Sequence, residues 1–310
     1  MHCREILFTP LCTPKGYGCP ICCQFLCATY GLVSDDYSYY NCVFTETRVI
    51  AGHSPVGGVA SLGDDVFVMR YNSQQVEVYD AVTLTLQRHI AVPGIGSHSY
   101  DLETCAADNS LLLSDYYNHS VHRVELSGSN TAMKWSVARY PIGLSVNSSN
   151  QVVVVSEGEC VLEIYTTRGI LLQRTRLPQV IGQPNHAVQV ITNLFVICDQ
   201  GNHKVCLVGP DGHVLRSFDG KSSTIGEMNN PRGITVDGHG HVLVADKANR
   251  RLLVLDQLLT DAQEMTVSVD GGLMDPRSVW YDRSRRRLYI GERDGHRVIV
   301  IDNLKDFSTN

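Results

Sequence analysis

The chain has 310 residues, a formal net charge of −6 and 43% hydrophobic residues. That content supports a sizeable core, and the negative balance excludes a global attraction to nucleic acid or to anionic membranes. No apolar run approaches the roughly 18 residues of a membrane span, and Met1-His2-Cys3-Arg4-Glu5 leads into no apolar stretch of the signal-peptide kind.

Residues 1–42 are rich in cysteine: Cys3, Cys12, Cys19, Cys22, Cys23, Cys27 and Cys42 are seven of the eleven in the chain. They read as a disordered or truncated leader, and residues 43–310 as one domain. Cys105, Cys160, Cys198 and Cys206 are scattered through the remainder without a framework. Such usage fits free thiols in a reducing compartment, so the expected location is the cytoplasm.

From residue 43 the chain repeats a short apolar strand, a polar anchor, a tight polar turn and a second apolar strand. Val43–Gly52 comes first and reads as an outer strand with no blade of its own. Blade one follows with Gly58-Val59-Ala60, Asp65–Met69 and Val76–Asp80, and blade two with Leu111–Asp115 and Val121–Val124. Blade three has Pro141–Val146 and four consecutive valines, Val152–Val155. Blade four has Gln189-Val190, Leu194–Cys198, Lys204–Val208 and an outer Val214–Phe218. Blade five is the clearest: Gly233–Asp237, a Gly238-His239-Gly240 turn, His241–Asp246 and Arg251–Asp256. Blade six has Pro276–Trp280, Arg287–Ile290 and Arg297–Ile301.

The anchors are Arg70, Asp115, Glu157, Asp199, Asp246 and Glu292, spaced 45, 42, 42, 47 and 46 residues apart. A period of that length built from short strands implies a six-bladed β-propeller of four-stranded antiparallel blades. Blade six lacks an outer strand, so Val43–Gly52 is expected to supply it and close the ring, which removes exposed sheet edges. The carboxylates of the anchors read as turn locks, accepting backbone N–H groups one to three residues on, and not as a ligand set.

Asn230-Pro231-Arg232-Gly233-Ile234-Thr235-Val236-Asp237 and Val244-Ala245-Asp246-Lys247-Ala248-Asn249-Arg250-Arg251-Leu252 closely resemble the NHL repeat. Asn118-His119, Asn202-His203-Lys204 and Gly295-His296-Arg297 match the same turn. The nearest likeness is to the propellers of TRIM-NHL (tripartite motif) proteins, in which a RING, B-boxes and a coiled coil usually precede the propeller and give ubiquitin-ligase activity. The resemblance implies binding of protein or RNA partners, and service as the substrate-recognition part of such a ligase. Cys19-Pro20-Ile21-Cys22 resembles the first ligand pair of a RING. After Cys42 the next histidine is His53, so the second zinc site is not assembled and no RING, B-box or coiled coil is found.

The turns after the anchors and the segments leading into each blade are expected on one face. There they gather Tyr116, Tyr117, Asn118, His119, Arg139, Tyr140, His186, His203, Arg232, Lys247, Arg250, Arg277, Arg293 and His296. This set is the candidate partner-binding surface, since loops on a rigid scaffold commonly carry binding. A protein or peptide partner is the leading reading. Single-stranded RNA is the alternative, with bases stacking on aromatics and phosphates meeting cations. The run Arg283, Arg285, Arg286, Arg287 is placed in a hairpin turn on the opposite face. A metal-dependent lyase or lactonase, with metal in the central channel, is a second alternative. The inner-strand positions read so far are mostly apolar or small, so no catalytic residue, metal, cofactor or small-molecule substrate is expected, and no membrane contact.

Overall fold

The computed structural model describes residues 47–96, 98–127 and 132–304. They form six four-stranded antiparallel sheets, five of them taken from the inside outward in chain order. Blade five runs Pro231–Val236, Val242–Asp246, Arg251–Leu255 and Ala262–Met265. The expected ring closure is present. Blade six consists of Pro276–Asp282, Arg287–Glu292 and Val298–Ile301, and its outer strand is Thr47–Ile50, paired from Thr47↔Ile301 to Ile50↔Val298. The leader, residues 1–42, lies outside the described residues. No helix among the described residues is long and apolar enough to cross a membrane.

The core lies between blades. Among the described residues it divides into six apolar clusters, one for each pair of neighbouring blades. Val152 and Val154 pack toward blade two while Val153 and Val155 pack toward blade four. A middle strand is thus buried on both faces, which is why it reads as a continuous apolar run and not as alternation.

Several details depart from the sequence reading. Blade three's second strand ends at Ser156, which pairs with Pro141 as Asp115 pairs with Ser99, Asp199 with Pro184 and Asp246 with Pro231. The anchor of that blade is therefore Ser156. Glu157 is one step beyond, half-exposed in the turn. The anchors also bond differently from expectation. Asp115, Asp199, Asp246 and Glu292 are fully buried. Their shortest backbone bonds come from behind, where the chain leads into the same blade: Gly96 N–H to Asp115 at 2.9 Å, Gln183 to Asp199 at 3.0 Å, Asn229 to Asp246 at 2.7 Å and Met274 to Glu292 at 2.6 Å. The forward bonds to Asn118 and Asn202 backbone are longer, at 3.4 and 3.3 Å. The side-chain amides of Asn118, Asn202 and Asn249, each three residues on, complete the lock at 2.7–2.9 Å.

Blade four's inner strand is Pro184–Ile191, longer than Gln189-Val190, and blade two's is Ser99–Cys105. Arg287 does not lie in the hairpin turn. It begins a strand, is buried, and pairs with Asp302, while Arg285 pairs with Asp64 and Asp282. Only Arg283, Arg285 and Arg286 occupy the turn.

Candidate functional site

All six inner strands carry a register shift near their start: Val56/Gly58, Ser99/Leu102, Pro141/Gly143, Pro184/Ala187, Pro231/Ile234 and Pro276/Ser278. A bulge re-aims the side chain at the irregularity. Here it creates a ring of second-position residues at one end of the channel: Gly57, Tyr100, Ile142, Asn185, Arg232 and Arg277. Five of them, all but Arg232, line a cavity of about 20 Å³, room for about one water.

The next layer down holds Gly58, Asp101, Gly143, His186, Gly233 and Ser278, small residues alternating with larger ones except at Ser278. Gly143 is required by close approach: a Cβ there would lie 2.7 Å from the Cα of His186. His186 Nδ1 accepts the N–H of Ile234 at 3.3 Å, so its ring proton sits on Nε2, which donates to the carbonyl of Leu144 at 2.7 Å. Asp101 accepts the N–H groups of Leu102 and Leu144, each at 2.9 Å. Burial pushes its carboxyl up despite those bonds. Below it, burial pushes Glu103 well above the usual carboxylate range, and the charge of Asp101 adds to this. The channel then widens to a cavity of about 750 Å³ on the opposite face, lined by Trp280, Asp282, Arg283, Asn147 and Gln189 among others.

On the anchor-turn face, seven rings touch in a continuous chain: His98, Tyr71, Tyr100, Tyr116, Tyr117, Tyr140 and His119. Tyr116 and Tyr140 stack at 4.9 Å, and Tyr117 stands 57% exposed at the edge. The Arg277 guanidinium is sandwiched between Tyr71 at 5.2 Å and Tyr100 at 4.9 Å, and Arg139 covers Tyr140 at 5.5 Å. Tyr116 donates its hydroxyl to Glu157 at 3.2 Å. Burial, reinforced by Glu157, pushes the Tyr116 phenol up to about 12. Burial and the neighbouring charge of Arg277 pull Arg232 down to about 10. Tyr140 adopts φ of 62°, an unusual backbone for a bulky residue, and its N–H donates to Nδ1 of His119 at 3.1 Å.

Of the residues expected at this surface, Tyr116, Tyr117, His119, Arg139, Tyr140 and Arg277 share the ring network, with Arg232 beside it. The others lie apart. Asn118 is folded onto Asp115. His186 is a channel residue. His203 accepts the N–H of Asn230 at 3.0 Å and so ties blade four to blade five. Lys247 is paired with Asp275 at 3.3 Å. Arg250 and His296 occupy left-handed turn positions four residues after their anchors, and Arg293 is exposed. Sequence reasoning missed Tyr71, His98 and Tyr100. Two of them carried a signal: Tyr71 follows Arg70 as Tyr116 follows Asp115, and Tyr100 follows Ser99 as Arg277 follows Pro276.

Among the described residues no group of three His, Cys, Asp or Glu side chains converges as a metal ion would require. The fold is shared with solved propellers. A catalytically inactive virginiamycin B lyase from Staphylococcus aureus with quinupristin aligns with a TM-score of 0.62 at 10% identity, covering 85% of this chain and 87% of that one. A structural genomics protein of unknown function from Bacteroides thetaiotaomicron gives 0.66 at 13%, covering 83% and 76%. The WD40 β-propeller domain of Doa1 gives 0.56 at 14%, covering 84% and 96%. At these identities the likeness is one of fold. No curated protein sequence matches the chain. Residues 228–255, which carry blade five's inner strand, Asp246 and the strand beyond it, match the family model of the NHL repeat.

Proposed function

We propose that this propeller is a non-catalytic recognition module that binds a protein or peptide on its anchor-turn face. The observation that carries this is the seven-ring network flanked by Arg277 and Arg139. Tyrosine and arginine are enriched at the hot spots of protein interfaces, and tyrosine offers large contact area with few rotamers to freeze. The rings here are already held by one another, so little ordering cost is left for binding. Glu157 at the rim and Asp101 below it oppose the approach of a phosphate chain, which favours a peptide over single-stranded RNA. On the TRIM-NHL resemblance, the bound partner is a substrate presented to ubiquitin-ligase modules, in the cytoplasm.

The test is crosslinking of the full chain in cell extract, followed by identification of both proteins and RNA, with wild type beside Tyr117→Ala. Loss of a protein crosslink in the variant supports the reading. An RNA crosslink that falls steeply with salt and is lost in the same variant would replace it. Turnover in lyase or lactonase assays with added zinc or calcium would overturn the non-catalytic assignment.

A further inference from the structure

The pair Arg232 and Arg277 is unusual among the charges of this molecule. Arg277 is 8% exposed, and Arg232 is half-buried, with its Nε shielded from solvent and without a hydrogen-bond partner. A guanidinium carries five N–H donors, yet among the described residues neither side chain donates a hydrogen bond or forms an ion pair. Other buried or half-buried arginines are all engaged: Arg70 with Glu77, Arg123 with Asp108, Arg251 with Asp246, Arg287 with Asp302 and Arg297 with Glu292. Two neighbouring cations, one buried and one half-buried, are costly without an acceptor unless a ligand supplies one.

Arg277 lines the cavity at the channel end, and Tyr71 and Tyr100 hold its guanidinium from either side. The sandwich leaves the edge of the fork, where its N–H groups point, as the route to an acceptor. The local charge sets the size of the anion. Asp101 acts on Arg277, and Glu157 and Asp275 act on Arg232. These carboxylates flank the pair, so a dianion or a chain of phosphodiesters would meet more repulsion than a monoanion does. A planar monoanion also matches the guanidinium fork.

We propose that Arg277 and Arg232 form a carboxylate pocket at the channel mouth. It takes a side-chain or terminal carboxylate of a partner peptide, while Tyr71, Tyr116 and Tyr117 pack the residues beside it. The proposal rests on the peptide-binding reading above and assigns that reading its specificity.

The experiment selects a random dodecapeptide library with free C-termini on the full chain. Selected peptides are then measured by fluorescence polarisation on wild type, Arg277→Met, Arg232→Met and Tyr117→Ala. The pocket is supported if both arginine variants weaken binding by about tenfold or more and one change in the peptide reproduces the loss. Loss on Asp→Asn or Glu→Gln in the peptide assigns a side-chain carboxylate, and loss on amidation assigns the chain terminus. Arg232→Met keeps a folded control in hand, because removing it relieves the charge beside Arg277 and its melting temperature should not fall. Peptides that bind both arginine variants as wild type, yet are released by Tyr117→Ala, would sink the pocket and leave the peptide-binding face standing. Peptides indifferent to all three variants would remove the face and the pocket together. A requirement for a phosphorylated residue, or displacement by single-stranded RNA, would overturn the carboxylate assignment.

Discussion

The guanidinium of Arg277 lies 4.9 Å from the centre of the Tyr100 ring, although the two residues belong to blades six and two. Blade one stands between them, and its residue at the same ring position is Gly57. A Cβ at Gly57 would crowd the carbonyl of Ser99 at 2.9 Å, so this position has no room for a side chain between the two. The absence of a side chain in one blade thus lets its two neighbours meet.

That bridge has a measurable energy. In a double-mutant cycle, Tyr100→Leu and Arg277→Met should show a coupling of about 1–2 kcal/mol, the range for a partly desolvated cation on aromatic faces. Urea unfolding of the two single variants and the double variant gives the value. A coupling within error of zero would mean that the two side chains only share a space.

Ring closure by the first described strand can be tested by removing it. Thr47–Ile50 contributes four paired residues to Val298–Ile301, buries Ile50 and holds Arg48 against Asp302 at 2.7 Å. Its loss would expose the edge of blade six and open the cluster that joins blades six and one. Deleting residues 43–50 is expected to lower the melting temperature by about 10 °C or more, since several kcal/mol at about 2–4 °C each are at stake. Deleting residues 1–30 should lower it far less. Equal melting temperatures for the two truncations would defeat the closure argument.

Blade architecture was legible because it depends on features that each blade repeats: a both-faces-buried strand, a polar lock and a turn. Val242–Asp246 and Arg251–Leu255 could be read almost to the residue for this reason. The site was legible only where it shares those features, as with Tyr116 and Tyr117 directly after Asp115. Ser99–Cys105 escaped notice because its sequence is polar. Asp101 and Glu103 are buried inside the channel, not on an apolar face, and no periodic pattern signals a channel lining. Tyr71 escaped although it follows the anchor Arg70 as Tyr116 follows Asp115. The bulges that turn Tyr100, Arg232 and Arg277 toward the axis are register irregularities, and side-chain period alone does not disclose them.

The anchor of blade three offers a direct check on this correction. Glu163 is fully buried there, accepts the N–H of Ala138 at 2.8 Å and takes Nε of Arg174 at 2.7 Å. Ser156 donates to the carbonyl of Ala138 at 3.3 Å. The carboxylate that blades two, four, five and six carry at the anchor lies seven residues along here, on the neighbouring strand. Glu163→Ala should therefore cost about 1–3 kcal/mol, because it leaves the buried N–H of Ala138 unpaired, while the half-exposed Arg174 can return to solvent. Ser156→Ala should cost about 1 kcal/mol, in line with one neutral hydrogen bond. Glu157→Ala, in a half-exposed turn where only the 3.2 Å bond from Tyr116 is lost, should cost less than about 1 kcal/mol. Chemical denaturation of the three variants ranks them, and a Glu157 cost equal to that of Glu163 would restore Glu157 as the lock.

Glu103 makes the stability of the fold depend on pH in an unusual direction. In the unfolded chain its carboxyl ionises near the ordinary value of about 4.3. In the folded chain burial holds it protonated to a much higher pH. Between those two values the unfolded state gives up a proton that the folded state keeps, so unfolding becomes easier as pH rises. The stabilising contribution is complete below the unfolded value and is lost as pH rises toward and through the folded one. Asp101 adds a smaller effect of the same sign. Asp115, Asp256 and Asp282 act oppositely: their pKa values are lowered by hydrogen bonds that outweigh burial, so they destabilise the fold as pH falls below the ordinary carboxylate range. Glu103→Gln keeps the shape and the acceptor for the N–H of Thr104, which Glu103 now bonds at 2.7 Å, and removes the titration. The variant should be more stable than wild type at pH 8 and nearly equal to it at pH 4. Denaturation curves at several pH values should show the slope between pH 5 and 8 shallower in Glu103→Gln. An unchanged slope would show that Glu103 is ionised inside the channel and that a cation or bound water offsets its charge.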